Sequence, residues 1–318
     1  MWLIPLVHAQ EVEVCREYGS TSAPIVVTGM PDIQSSGVAA SRAQAGRFIT
    51  HDDAGGDAQL HVFERTGDGA RYVGAQTVLG ATNTDWEDVA SGPCPASIEA
   101  DACLWIGDIG DNDKTRASID VWVLADTTLA GGETAHCRLT YPDGERFDAE
   151  AMFVSPDGAI GVVTKEKDGD AKIFRLDNPT CNGDAVQVMK LEAEFFPGEE
   201  ITGAAMNADG TAVVIRSGEA AWLWSGCEID WSAPPTVVDL GSQPQGEAIT
   251  FLADGTLVST SEGEPLQVWE TPCAVAAVPE CPACGCRGSG AWFLVLVPLL
   301  GRRWTTGGCR PGARSTDR

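Results

Sequence analysis

Short runs in which β-branched or aromatic residues alternate with polar ones recur through residues 35–271, separated by Asp-Gly, Gly-Gly and Ser-Gly pairs. Alternation with a period of two marks half-buried strands, and the Gly-containing pairs mark the turns between them. Two segments align without gaps, AEAMFVSPDG at 149–158 and GEAITFLADG at 246–255, and ITGAAMNADG at 201–210 fits the same frame. Looser copies are WEDVAS at 86–91 and SSGVAAS at 35–41. The shared column is therefore Ser36, Glu87, Glu150, Thr202 and Glu247, at intervals of 51, 63, 52 and 45 residues.

Each copy continues alike. A second β-rich run ends in polar residues, as in RFITHDD, CLWIGDIGDN and TAVVIRSGE, and a third strand carries Phe63, Trp122, Phe174, Trp224 or Trp269. A fourth follows in most copies, for example TAHCRLTY, AVQVMKLEA and TVVDL. Four strands per repeat at roughly 45–60 residues predict an all-β chain folded as a β-propeller. Five motifs favour five blades, with six if residues 86–148 conceal a degenerate one. The last copy lacks a fourth strand, and the N-terminal EVEVCREYGS is expected to supply it and close the ring. Cys15 and Cys273 would then meet at the seam as a disulfide. The recurrent aromatics are expected to fill the space between neighbouring sheets.

The ends differ from this body. Residues 1–9, MWLIPLVHA, read as the remnant of an export signal that leaves Gln10 as the new N-terminus. The propeller is expected over 10–275. Residues 276–318 form a Cys/Pro-rich linker, ten apolar residues at 291–300 and an Arg cluster. Ten residues rise only about 15 Å as a helix, half of a hydrocarbon core, so a sorting signal fits better than a permanent span. In an exported chain the body cysteines are expected as disulfides. Cys94 and Cys103 flank a short excursion and are expected to close it, whereas Cys137, Cys181 and Cys227 cannot be paired from spacing. The C-x-x-C spacing from Cys281 to Cys284 also fits a metal knuckle, but no second Cys or His pair lies nearby. The order Cys-Gly-Cys, apolar stretch, Arg cluster resembles the MYXO-CTERM tails of myxobacterial surface proteins. That resemblance implies cleavage and lipid attachment at Cys284 or Cys286, and membrane association through the tail.

With 21 basic and 46 acidic side chains the net charge is −25. Such a balance repels phosphate backbones and excludes nucleic acid as a partner. A monomer that meets a small-molecule or surface ligand is the expectation.

Propeller geometry puts the start of each innermost strand and the loops between second and third strands on one channel mouth. There it would gather Glu87, Glu150 and Glu247 with Ser36 and Thr202. Around them would lie His51, Asp52, Asp53, Asp85, Asp88, Asp108, Asp111, Asp148, Lys165, Arg216 and Glu262. Each pair of carboxylates about 4 Å apart costs on the order of a few kcal/mol at intermediate dielectric. A hard divalent cation, Ca2+ foremost, would relieve that repulsion, as would a retained proton or neutralisation by Lys165 and Arg216.

Asp148-Ala149-Glu150-Ala151 followed by Ser155-Pro156-Asp157-Gly158 resembles the pattern of secreted phytase-like propellers and, more distantly, of the gluconolactonase and regucalcin group. The resemblance implies a metal at the channel mouth held by Glu87, Glu150 and Glu247, with Asp108 a looser match, and ester or lactone hydrolysis. A phosphate-binding Lys/Arg array is thin here, and neither G-x-S-x-G nor a P-loop is present. Two functions follow: a surface-tethered, metal-binding recognition or scaffold module, or a calcium-dependent hydrolase of small esters with Glu150 or Asp148 as base.

Overall fold

In a computed structural model, residues 14–277 are described apart from 68, 127, 128, 130, 131, 133, 167, 168 and 184. The proposed signal remnant and Cys281, Cys284 and Cys286 lie outside the described residues. The alternating segments form strands, and their burial grades from the centre outward. Innermost and second strands are buried on both faces, whereas outer strands show one wet face.

Strands β1 (Val14–Tyr18) and β2 (Ile25–Thr28) precede the first repeat. That repeat is a meander of β3 (Ser35–Ala40), β4 (Arg47–Asp52), β5 (Gln59–Arg65) and β6 (Ala70–Thr77). The second comprises β7 (Trp86–Gly92), β8 (Cys103–Asp108), β9 (Ile119–Ala125) and β10 (Thr134–Thr140). The third uses β11 (Ala149–Val154), β12 (Ile160–Thr164) and β13 (Ala171–Leu176). After β14 (Val186–Val188) it is completed by β15 (Lys190–Phe195). The fourth is β16 (Ile201–Met206), β17 (Ala212–Ser217), β18 (Ala220–Ser225) and β19 (Thr236–Asp239). The last has β20 (Gly246–Phe251), β21 (Leu257–Ser261) and β22 (Gln267–Thr271), followed by β23 (Cys273–Ala277).

First strands stand side by side in a closed cycle: β3 adjoins β7, β7 adjoins β11, β11 adjoins β16, β16 adjoins β20, and β20 returns to β3. Sheets fanned around such a ring are a β-propeller. The cores are wedges between neighbouring sheets. Ile49, Leu60 and Val62 meet Leu104, Ile106 and Leu124 in one, and Phe153, Val163 and Ile173 meet Val213, Ile215 and Trp224 in another. Each such fully buried side chain contributes about 1.5–3 kcal/mol. Phe63, Phe174 and Trp224 are buried in clusters of this kind and Trp269 is buried too, while Trp122 is partly buried and stacks on His136 with ring centroids 4.2 Å apart.

The closing strand differs from the expected one. β2 pairs antiparallel with β22 and supplies the fourth strand of the last sheet, and its other end pairs parallel with β6. The expected segment, β1, instead pairs with β23 in a separate two-stranded sheet. Cys15–Cys273 joins that pair, and Cys94–Cys103 closes its excursion. A third bridge, Cys137–Cys181, ties β10 to the segment before β14, which pairs parallel with β10. AVQVMKLEA is therefore two strands in different sheets, with Met189 buried between them and its amide bonded to the Thr140 carbonyl. Cys227 is disulfide-bonded as well. Residues 86–148 hold one four-stranded meander and a short 3-10 turn at Pro142–Gly144. No helix among the described residues is long and apolar enough to cross a membrane.

Candidate functional site

The column of the repeat coincides with a local fault in pairing. Register slips between Ser35 and Val38, Trp86 and Asp88, Ala149 and Ala151, Ile201 and Gly203, and Gly246 and Ile249. Ser36, Glu87, Glu150, Thr202 and Glu247 are each inside one of these slips. A bulged residue escapes the two-residue alternation of its strand, and its side chain is re-aimed. All five column residues line one cavity of about 600 Å³, with Lys165 and Glu262 from the loops. Among the described residues, seven carboxylates line it against one ammonium, that of Lys165.

Their contacts show the strain of that imbalance. Lys165 Nζ donates to Glu150 Oε1 at 2.7 Å. Burial opposes the lysine's charge, but the Glu150 carboxylate and its neighbours hold the ammonium above the usual lysine range. Glu150 and Glu87 also act on each other directly. Burial pushes both carboxyls up; mutual repulsion adds to the rise of Glu87, and Lys165 restrains that of Glu150. Ser36 Oγ lies 3.0 Å from the Glu87 carbonyl and 3.2 Å from Glu87 Oε2, and Thr202 Oγ1 donates to the Gly246 carbonyl at 3.0 Å. Glu247 is pushed up to about 8 by burial and by Glu262, which accepts a hydrogen bond from Gln245.

A tighter cluster sits on one side of the mouth. Carboxylate oxygens of Asp53, Asp85 and Glu87 lie within 4.8 Å of one another. Asp85 is pushed up to about 6 by burial, then by Asp53 and Asp148. Asp53 Oδ1 is a buried atom with no hydrogen-bond partner among the described residues. Gly110 lies against the cluster, where a Cβ would come within 2.3 Å of Glu87 Oε1 and 2.5 Å of Asp85 Oδ2. Three hard oxygen donors, one of them orphaned, suit a hard cation.

Several expected mouth residues are elsewhere, and each has a structural use. Arg216, expected as a neutralising cation at the mouth, is wholly buried. Its guanidinium donates to the carbonyls of Ser217 and Gly218 at 2.7 Å, of Ala248 at 3.1 Å and of Thr260 at 3.3 Å, and to Gln243 Oε1 at 3.1 Å. It clamps β17 to the last sheet, and Gly246 makes room for it, since a Cβ there would fall 1.7 Å from Nη2. His51 is fully buried, edge-on to Trp86, and held through Nδ1 to the Asp52 carbonyl at 3.0 Å. Burial lowers its pKa to about 4, so it stays neutral. Asp52 Oδ1 accepts from the Gln34 amide at 2.8 Å. Asp108 accepts from the amides of Thr84 and Asp85 and pairs with Arg116 at 2.8 Å; it positions Asp85 and does not face the cavity. Asp148 Oδ1 accepts from the Asp111 amide at 2.8 Å and does not line the cavity either.

The sequence placed Asp88 at the mouth, but it is completely buried beneath it. Its Oδ1 accepts from the Val89 amide at 2.8 Å, and its Oδ2 accepts from the amides of Met152 at 2.8 Å and Ala204 at 3.2 Å. One side chain thus satisfies amides on three innermost strands. Burial raises its pKa well above the carboxylate range.

No family model and no curated protein matches the chain. Among solved structures it is similar to the PQQ-bound form of an aldose sugar dehydrogenase from Streptomyces coelicolor, at 12% identity and a TM-score of 0.45, over 80% of this chain and 98% of that one. A likeness at that level carries no functional argument.

Proposed function

We propose that this chain is a five-bladed propeller that binds a hard divalent cation, Ca2+ foremost, at the acidic channel mouth and presents it as a recognition module. The blade count rests on the closed cycle of five first strands. One observation carries the metal: Asp53, Asp85 and Glu87 converge within 4.8 Å, with Asp53 Oδ1 buried and unpartnered among the described residues. Glu150 is tied to Lys165 and Glu247 lies with Gln245 and Glu262, so these two complete the charged rim while the triad holds the ion. The disulfides fit an oxidising compartment. With the N-terminal segment and the tail resemblance, they support an exported protein tethered at the cell surface through Cys284 or Cys286. This is a monomer whose ligand is a small molecule or a surface group.

A second reading has its own support. Glu150, raised by burial and poised between Lys165 and Glu87, is placed to take a proton from water, as in the phytase-like and gluconolactonase-like propellers the sequence resembles. A bound cation would polarise an ester or lactone oxygen. Lys165 would orient the Glu150 carboxylate, and Ser36 would hold Glu87.

Metal analysis of the purified protein, with an ester and lactone panel run with and without chelator, separates the two. The recognition module predicts about one equivalent of divalent ion and no turnover. Chelator-sensitive turnover lost in Glu150→Gln would favour the hydrolase. Absence of metal, with a melting temperature indifferent to chelator, would remove both.

A further inference from the structure

We propose that Arg116 is the positioning residue of the metal centre: it holds the loop that follows β8 against Asp85 and Glu87, and so fixes the shape in which Asp53, Asp85 and Glu87 receive their ion. The inference rests on the metal-binding reading above. Asp108, Asp111 and Asp148, expected at the mouth from the sequence, do not line the cavity but frame this loop. Asp108 ends β8 and accepts from the amides of Thr84 at 3.3 Å and Asp85 at 3.2 Å. Farther along the loop, Gly110 donates its amide to the Asp85 carbonyl at 3.1 Å. A Cβ on Gly110 would intrude on both Asp85 and Glu87, so the loop is packed directly against the ligands.

Arg116 ties these points together. Its Nη1 lies 2.8 Å from Asp108 Oδ1 and donates to the Gly110 carbonyl at 2.8 Å. Its own backbone is anchored, since its amide and that of Thr115 donate to the two carboxylate oxygens of Asp111 at 2.8 Å, and the Asp111 amide donates to Asp148 Oδ1 at 2.8 Å. On the outer side Nη2 faces Asp120 at 3.8 Å, and Asp120 is held in turn by His136 at 2.6 Å and Arg138 at 2.9 Å. A bare guanidinium so near a cation site would repel the ion, but this one lies between two carboxylates that offset its charge. What it contributes is direction. A lysine would keep the charge and lose the planar fork that reaches several acceptors at once. Residues standing behind metal ligands in this way change metal affinity by about 10–100-fold when altered.

Calorimetric titration of the full chain with Ca2+, at a temperature where each variant is folded by circular dichroism, tests this. Arg116→Lys is expected to bind Ca2+ about 10-fold more weakly or worse. Asp108→Asn breaks the same link from the other side and should weaken binding likewise. The two together should cost little more than either alone, because both act through one contact. A purely structural ion pair would lower the melting temperature and leave the affinity of the folded protein alone. Affinity within about twofold of wild type in both folded variants would therefore overturn the role of Arg116 while leaving the metal site in place. Losses that simply add would overturn it too. Wild type that takes up no Ca2+ would instead remove the metal reading, and this inference with it. Should Arg116→Lys fail to fold, the affinity of Asp108→Asn decides alone.

Discussion

Asp88→Leu is expected to destabilise the folded chain by about 3 kcal/mol or more, since each buried amide left without an acceptor costs about 1–3 kcal/mol. Three such amides, on Val89, Met152 and Ala204, depend on this one carboxyl. Leucine would fill the space but accept nothing. The gain from no longer burying a charge is small, because burial already drives Asp88 towards its neutral form. At about 2–4 °C per kcal/mol for a chain of this size, the melting temperature should fall on the order of 10 °C. Asp88→Asn keeps one accepting oxygen and should fall by less. A leucine variant that melts within about 2 °C of wild type would show that those amides find other partners. The role of Asp88 as the hub of three innermost strands would then be withdrawn.

Without metal, the protein is expected to lose stability as pH rises from 6.5 to 8.5, and Ca2+ is expected to restore it. Glu247 binds its proton more tightly in the folded state, at about 8, than at the ordinary value of 4.5. Its stabilising contribution is therefore whole below 4.5 and is lost as pH rises through 8. The Glu87–Glu150 pair, also raised, acts in the same direction. His51 works the opposite way: its folded value near 4 lies below the ordinary 6.5, so its contribution is present above 6.5 and lost as pH falls. At the lower edge of this window the unfolded imidazole, at its ordinary 6.5, is still half charged, so His51 opposes the carboxyls by only about 0.4 kcal/mol across it and they dominate. A loss of about 2 kcal/mol or more, or about 5–10 °C in melting temperature, is expected across it. Calcium at a hundred times its dissociation constant should return about 2.7 kcal/mol, since it supplies the positive charge that protons supply at lower pH. A melting temperature flat in pH, or unmoved by calcium at pH 8.5, contradicts the picture of an uncompensated acidic mouth.

The repeat column was legible because Glu87, Glu150 and Glu247 hold a fixed offset in copies of one motif, and that offset survives folding as a shared depth in the channel. What aims them was not legible. A slip of register is a relation between two strands, and nothing in either strand alone announces it. Asp53 and Asp85 were recognised as mouth residues, but their meeting with Glu87 depends on loops outside the repeat, so spacing gave no reason to group them. Arg216 looked like a loop cation because Arg-Ser-Gly ends its strand. Its burial depends on the missing side chain of Gly246 on a neighbouring sheet. Closure was half legible: the Cys15–Cys273 bridge followed from the seam, but β1 and β2 are both short β-rich runs. In the fold it is β2 that takes the place beside β22.

The most direct test of the metal-binding mouth is a crystal of the full chain grown in calcium, then exchanged into terbium to locate the ion by its anomalous signal. A single peak within bonding distance of Asp53, Asp85 and Glu87, absent in crystals of Glu87→Gln, is the predicted result. Crystals saturated with the ion that show no peak there, with those three carboxylates paired to protein cations or bridged by water alone, would contradict it.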